Sequence, residues 1–142
     1  MSSAPAGFRI LEHPADLGIE ASGPSLAEAF AQAASGLISI ILDPTGVREA
    51  ESRTVCLEAA DLEQLLVRWL SEILYLYDAQ RFVACAFVVE EISAHTFTAV
   101  VLGERFDPAR HPTRLDVKAV TYHQVNVTQA NEGVTVRVYL DI

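Results

Sequence analysis

Two segments of this chain are apolar over about half of a helical circumference, and this most narrows the folds open to it. In the first, Leu26, Phe30, Ala33, Leu37, Ile40 and Ile41 follow helical spacing and cover an arc of about 200°. In the second, Leu62, Leu65, Leu66, Trp69, Leu70, Ile73, Leu74 and Tyr77 do the same. Val67 and Leu76 widen that arc to about 200° as well. A helix lying on one side of a single sheet needs an apolar stripe of little more than about 100°. Two helices with arcs this wide call for cover on two sides, so they are expected between layers rather than on the outside.

The ends of both helices are marked. Ser25 and Glu28 have the spacing of a capping box, as do Asp61 and Gln64. Asp43-Pro44 stops the first helix and Thr45-Gly46 turns the chain. Strands are expected around the helices. Residues 8–12 form a short one, with Phe8 and Ile10 on one side. Leu17, Ile19 and Ala21 alternate with Gly18, Glu20 and Ser22 in a second. Pro14 has no N–H for a ladder and disfavours helix at His13, so a turn or bulged corner joins these two. Residues 49–53 are a polar connection, and 54–59 a strand with Val55, Leu57 and Ala59 on one face.

The continuous apolar run 82–89 predicts a buried strand, returning through 96–102 after a connection at 90–95. A loop follows at 103–114. Residues 115–122 favour an extended conformation that Val125 and Val127 continue. After a turn at Asn131-Glu132-Gly133, Val134, Val136, Val138 and Leu140 alternate strictly with Thr135, Arg137, Tyr139 and Asp141.

At 142 residues the chain is expected to be one domain, spanning 8–142, behind a flexible arm at 1–7. Its 10 basic residues against 19 acidic ones give a net charge of −9. That balance argues against a direct grip on RNA or DNA, which needs basic groups to displace phosphate counterions, and suits a cation or a basic partner. Cys56 and Cys85 are expected to be buried, reduced thiols. The arm lacks the charged and apolar regions of a signal peptide. No apolar run reaches the roughly 18 residues of a membrane span, so a cytoplasmic location is expected.

The candidate site joins the two ends of the chain. Asp141 lies on the polar side of the last strand, beside Ile142, whose α-carboxylate would stand close to the Asp141 side chain. Two anions this close repel unless protonated, solvated or neutralised. With Asp16 they would make three oxygen anions, which suit hard ions such as calcium, magnesium or manganese. On pattern alone a solvated strand-end carboxylate also accounts for Asp141, and a turn residue bonding a nearby amide for Asp16. His13 lies three residues before Asp16; as a ligand it would bring zinc into competition, and otherwise it packs locally. His95, His111 and His123 show no metal-ligand spacing and are expected to be structural.

Lys118 interrupts an apolar stretch, on the face opposite Val117 and Ala119 by alternation, either facing solvent or offering a cation. A cap accounts for Asp43 and a surface pair for Glu104-Arg105. No nucleophile-elbow, zinc-protease, Walker or dinucleotide motif is present.

His13-Pro14-Ala15-Asp16-Leu17-Gly18 followed by Gly23-Pro24-Ser25-Leu26-Ala27-Glu28-Ala29-Phe30 resembles the start of archease. Asp61-Leu62-Glu63-Gln64-Leu65-Leu66 with Trp69-Leu70-Ser71-Glu72-Ile73-Leu74, then Val117-Lys118-Ala119-Val120-Thr121-Tyr122-His123, and the terminal Asp141-Ile142, extend the resemblance over 8–142. It implies an α+β, three-layer sandwich with two main helices between two mostly antiparallel sheets. It implies an accessory protein, not an enzyme, that transiently contacts an RtcB-type RNA ligase in tRNA splicing and RNA repair. There it promotes guanylylation of the ligase histidine and multiple turnover, and meets RNA only through the ligase. The family's metal site maps onto Asp16, Asp141 and Ile142, with calcium the expected ion and magnesium or manganese the alternatives. Its activating lysine maps onto Lys118.

Pro14 stands where a threonine is usual, Pro24 where an acidic residue is common, and Asp43-Pro44 replaces a common Thr-Asp. None of these removes a metal ligand. The alternative functions are a chaperone-like modulator of a tRNA methyltransferase and, behind it, a metal-dependent hydrolase using His13 or His123 as acid or base.

Overall fold

The computed structural model describes residues 5–12 and 16–142. Four strands make one sheet: β1 (Gly7–Glu12), β2 (Asp16–Gly23), β6 (Ala119–Ala130) and β7 (Gly133–Asp141), in the order β1-β2-β7-β6. Three make the second: β3 (Glu51–Glu58), β4 (Phe82–Ile92) and β5 (Thr96–Arg105), in the order β3-β5-β4. Neighbouring strands are antiparallel throughout. The expected corner at 13–15 and the arm at 1–4 lie outside the described residues. Of the rest of the expected arm, Gly7 belongs to β1 and the Pro5 carbonyl accepts from Ser22 Oγ at 3.0 Å.

Both helices begin where the caps predict. Ser25 Oγ accepts from the Glu28 amide at 3.3 Å and opens α1 (Leu26–Ile41). Asp61 Oδ1 accepts from the Gln64 amide at 2.8 Å, while Gln64 Oε1 reaches back to the Ala60 amide at 2.7 Å, opening α2 (Leu62–Asp78). α1 packs on β1 and β2 with β4 on its other side, and α2 packs on β6 with β3 and β4 opposite. The helices thus form the middle layer, the arrangement their wide apolar arcs require. Trp69 of α2 ties the layers together. It is fully buried, lies 4.7 Å from the Phe97 ring of β5, and donates its indole N–H to the Phe30 carbonyl of α1 at 2.9 Å. Truncating a buried aromatic of this kind to alanine costs about 3–5 kcal/mol.

Several elements differ from the sequence expectation. β3 starts at Glu51, because its early residues pair with β5 from Gly103 onward and this tolerates their polarity at a sheet edge. The apolar run in β4 is buried only at its start, and Val88 is 50% exposed. β4 is an edge strand whose register shifts between Ala84 and Ala86 and again between Val89 and Glu91, so half of its side chains turn outward. Cys56 is exposed because it alternates with Val55 and Leu57, which face the helices; Cys85 is half-buried. Both thiols are free, and burial, then the charges of Glu49 and Glu104, pushes the Cys85 thiol up. β5 continues to Arg105 through Gly103, where a β-carbon would lie 1.9 Å from the Val83 carbonyl oxygen, so only glycine fits.

Glu104 is not in a surface pair with Arg105. It is 8% exposed and takes two bonds from Arg110, at 2.8 and 3.0 Å, and one from the Arg48 amide at 2.8 Å. His111 completes the cluster. Its Nδ1 accepts from the Asp107 amide at 2.9 Å, so Nε2 carries the proton and donates to Glu104 at 3.1 Å. Arg110 first, then the Arg48 amide, holds the Glu104 carboxyl down at about 2. This cluster anchors the start of the long connection between β5 and β6.

The rest of that connection closes the C-terminal end of α1, where the last carbonyls of a helix lack partners. Arg114 Nη1 donates to the Ser39 carbonyl at 2.9 Å, the Arg114 amide to Ile41 at 2.8 Å, and the Leu115 amide to Ile40 at 3.2 Å. Asp43 caps the short 3-10 turn Pro44–Gly46, accepting from the Thr45 hydroxyl at 2.6 Å and its amide at 3.0 Å, and these bonds lower its pKa. Among the described residues, no helix is long and apolar enough to cross a membrane.

Candidate functional site

The strict alternation of β7 buries Val134, Val136, Val138 and Leu140 against the helices and turns Thr135, Arg137, Tyr139 and Asp141 to the outer face of the first sheet. β7 is flanked on both sides, so each of these outward residues has a cross-strand neighbour. Arg137 stands opposite Glu20, Tyr139 opposite Gly18, and Asp141 opposite Asp16. Glu20 binds Arg137 and Arg9, each at 2.7 Å, and these bonds, Arg137 first, lower its pKa. Tyr139 is 4% exposed and lies over Gly18; a β-carbon there would meet Tyr139 Cε1 at 2.7 Å, so Gly18 is needed for the ring to lie flat on the sheet.

The next row holds the candidate ligands. Directly opposed residues of an antiparallel pair have β-carbons about 4.5–5.5 Å apart, and like charges so placed are destabilising. Asp16 and Asp141 form such a like-charged pair at the end of the sheet. Ile142 follows Asp141 and is 38% exposed. On the other side of β7, Ala119 is the partner of Asp141, and the Lys118 amide donates to the Asp141 carbonyl at 2.8 Å. Three remote parts of the chain therefore meet in one row. Lys118 is exposed and Val117 buried, as alternation predicts; Ala119 departs from it and is also exposed, because regular pairing starts only at Ala119.

The C-terminal end of α1 lies close to this row. β2 leads away from Asp16 and α1 runs back along it, so α1 ends near the same edge. Leu115 on the Ile40 carbonyl and Lys118 on the Asp141 carbonyl are only three residues apart, which fixes that proximity. Neither helix has a basic residue in its own last turn, and at the end of α1 the cation comes instead from Arg114, which donates to the Ser39 carbonyl. Asp78, the last residue of α2, has its pKa raised by burial and by the charge of Asp116. Among the described residues, no three His, Cys, Asp and Glu side chains are gathered into a group that could hold a metal. The candidate set has only two side-chain carboxylates of that kind, Asp16 and Asp141, with the main-chain carboxylate of Ile142 as its third member. All three are hard oxygen donors and so fit a hard cation.

The other candidates are used within the fold or lie outside it. His13 is not among the described residues. His95 Nδ1 sits 3.1 Å from the Ala59 carbonyl, and both nitrogens of His111 are taken up by the Glu104 cluster. His123 is different, and its position comes from a feature that periodicity does not reveal. Between Thr121 and Asn126 the register of β6 slips, so residues 122–125 face only Val138 of β7. Gln124 takes a φ of 52° there. The bulge brings the His123 ring 6.1 Å from that of Tyr139, edge-on, and leaves Tyr122 exposed.

The profile of the archease protein family matches residues 8–142. Protein archease of Methanosarcina acetivorans is 39% identical, with 100% of both chains covered. Protein archease of Saccharolobus solfataricus is 38% identical over 95% of this chain and 98% of its own. The solution structure of protein 1598 of Methanobacterium thermoautotrophicum superposes with a TM-score of 0.81 at 30% identity, covering 96% of this chain and 99% of that one. The crystal structure of an archease from Thermotoga maritima, described as a possible chaperone, shares the fold with a TM-score of 0.56 at 15% identity, over 94% and 96% of the two chains. With the layer order, the paired helices and the matched motifs all agreeing, the chain belongs to the archease family.

Proposed function

We propose that the protein is an accessory activator of an RtcB-type RNA ligase, acting in the cytoplasm in tRNA splicing and RNA repair rather than catalysing a reaction of its own. In this reading Asp16, Asp141 and the α-carboxylate of Ile142 hold a divalent cation, calcium first with magnesium or manganese as alternatives. Lys118 carries the activating positive charge. What supports it most is the direct opposition of Asp16 and Asp141 in one cross-strand row, with Lys118 held by its amide to the Asp141 carbonyl. Two carboxylates set opposite one another in a cross-strand row offer hard oxygen donors to a cation, which would also relieve their mutual repulsion. A cation there would supply positive charge for nucleotide phosphates during transfer to the ligase histidine.

The overall charge of −9 fits a protein that reaches RNA only through its partner. The test is guanylylation of a purified RtcB-type ligase with and without this protein, at substoichiometric and equal amounts, with each of the three ions. Acceleration below one equivalent supports turnover activation; no acceleration under any metal condition refutes it. A chaperone-like role toward a tRNA methyltransferase, the second reading, predicts instead that ligation is untouched while the methyltransferase's activity or specificity changes.

A further inference from the structure

A groove of about 440 Å³ runs beside the exposed side of α2, between the two sheet edges formed by β3 and β6. Its apolar lining comes from Leu57, Val67 and Val120, and its rim carries Tyr75 and Tyr122. These two rings are 52% and 55% exposed, more than any other large apolar side chain among the described residues. Tyr75 lies on the outward stripe of α2 with Arg68 and Ser71, and Tyr122 is thrown out by the β6 bulge. Tyrosine so exposed, over an apolar base, is the composition of a protein contact rather than of an idle surface.

The chemistry of the occupant follows from charge and from what the chain does elsewhere. Arg53 stacks on Phe82, and Arg81 stacks on Tyr77 and Phe106. Among the described residues no such cation lies over Tyr75 or Tyr122. Glu72 also lines the groove, while the groove's own Arg68 is committed to the Glu58 carbonyl at 2.6 Å. The whole protein carries −9. In sequence the groove lies next to the candidate site: Val120 and Tyr122 of β6 come two and four residues after Lys118.

We propose that this groove docks a cationic segment of the enzyme partner, with an arginine or lysine side chain of that partner held over the Tyr75 and Tyr122 rings beside Glu72. The aliphatic stem of that side chain would lie on Leu57, Val67 and Val120. The proposal rests on the reading that the protein activates a ligase, and it separates where the partner is held from where it is acted upon.

The experiment titrates the protein into the purified RtcB-type ligase and reads both the maximal guanylylation rate and the concentration giving half of it. Tyr122→Leu and Tyr75→Leu keep apolar bulk but lose the ring, and each should raise the half-maximal concentration about fivefold with the maximal rate unchanged. Tyr122→Phe and Tyr75→Phe keep the ring and should behave like the wild type. Glu72→Gln should weaken binding and reduce its salt dependence. Circular dichroism of each variant checks the fold, and the phenylalanine variants serve as folded controls at the same positions.

If both leucine variants titrate like the wild type, the occupant is apolar or absent and the proposal is overturned. If they lower the maximal rate without moving the half-maximal concentration, the rings belong to the activating site instead. If sedimentation shows the wild type self-associating through this face, and the leucine variants abolish that, the occupant is a second copy. A wild type that neither binds nor activates the ligase overturns the proposed function and this proposal together.

Discussion

Asp16 and Asp141 come from opposite ends of the chain and stand directly opposite one another on adjacent antiparallel strands. Like charges directly opposite one another on an antiparallel pair are mutually unfavourable. Asp141→Asn should therefore leave the metal-free protein as stable as the wild type or slightly more so. Added calcium should raise the melting temperature of the wild type by mass action and that of the variant far less. Asp16→Ala should weaken metal affinity by about tenfold or more and remove most ligase activation, with an unchanged far-ultraviolet spectrum. Calorimetry and guanylylation rates check both variants; an Asp16→Ala protein that binds metal and activates normally would refute the central role of this row.

The chain end gives a sharper test. A short Gly-Ser tail after Ile142 moves the α-carboxylate away from Asp141 but leaves β7 packed through Val134, Val136, Val138 and Leu140. Termini usually tolerate such additions. Here metal affinity and guanylylation should fall together while the melting temperature without metal stays put. Unchanged values in both assays would take Ile142 out of the ligand set.

Lys118 touches the row through its backbone, because its amide donates to the Asp141 carbonyl. That bond survives truncation of the side chain. Lys118→Ala should therefore keep metal affinity within about twofold, since a protonated lysine is no ligand, and lower the maximal guanylylation rate severely. Loss of metal binding in a folded Lys118→Ala protein would show that the lysine has a different task.

Away from the site, the Glu104 cluster predicts an acid dependence of stability. Its carboxyl is lowered from an ordinary value of 4.5 to about 2 by Arg110, the Arg48 amide and His111. Between those values the unfolded chain binds the proton first, so this stabilisation is complete above about pH 4.5 and fades as pH falls toward about 2. Urea titrations from neutral pH into that range should show the loss in the wild type. In Glu104→Gln the stability should start lower, by several degrees in melting temperature, and its slope over this window should be flatter. Equal slopes would place the acid sensitivity elsewhere.

What the sequence determined by itself was local or periodic. The caps at Ser25 and Asp61 follow from hydroxyl and carboxylate reaching the nearest free amides, and the alternation of β7 follows from the two-residue period of a strand. The wide arcs of α1 and α2 even foretold the layer order, because apolar surface on both sides of a helix must be covered from both sides. Asp16, Asp141, Ile142 and Lys118 were nameable as candidates, but their convergence was a matter of resemblance until β2 and β6 were seen to flank β7.

Only the tertiary structure decided the rest, since it depends on which strands become edges and where long loops land. The apolar run of β4 looks buried in one dimension, yet an edge position and two bulges expose Val88. Glu104 looked like the neighbour of Arg105, but a strand sends consecutive side chains to opposite faces, and the true partners, Arg110 and His111, arrive from the following loop. The β6 bulge adds residues without a periodic trace, so neither the His123–Tyr139 contact nor the exposed Tyr122 could be derived from spacing. Pairings between segments remote in sequence are fixed by the closing of the sheet and the packing of the helix layer, and no local pattern encodes them.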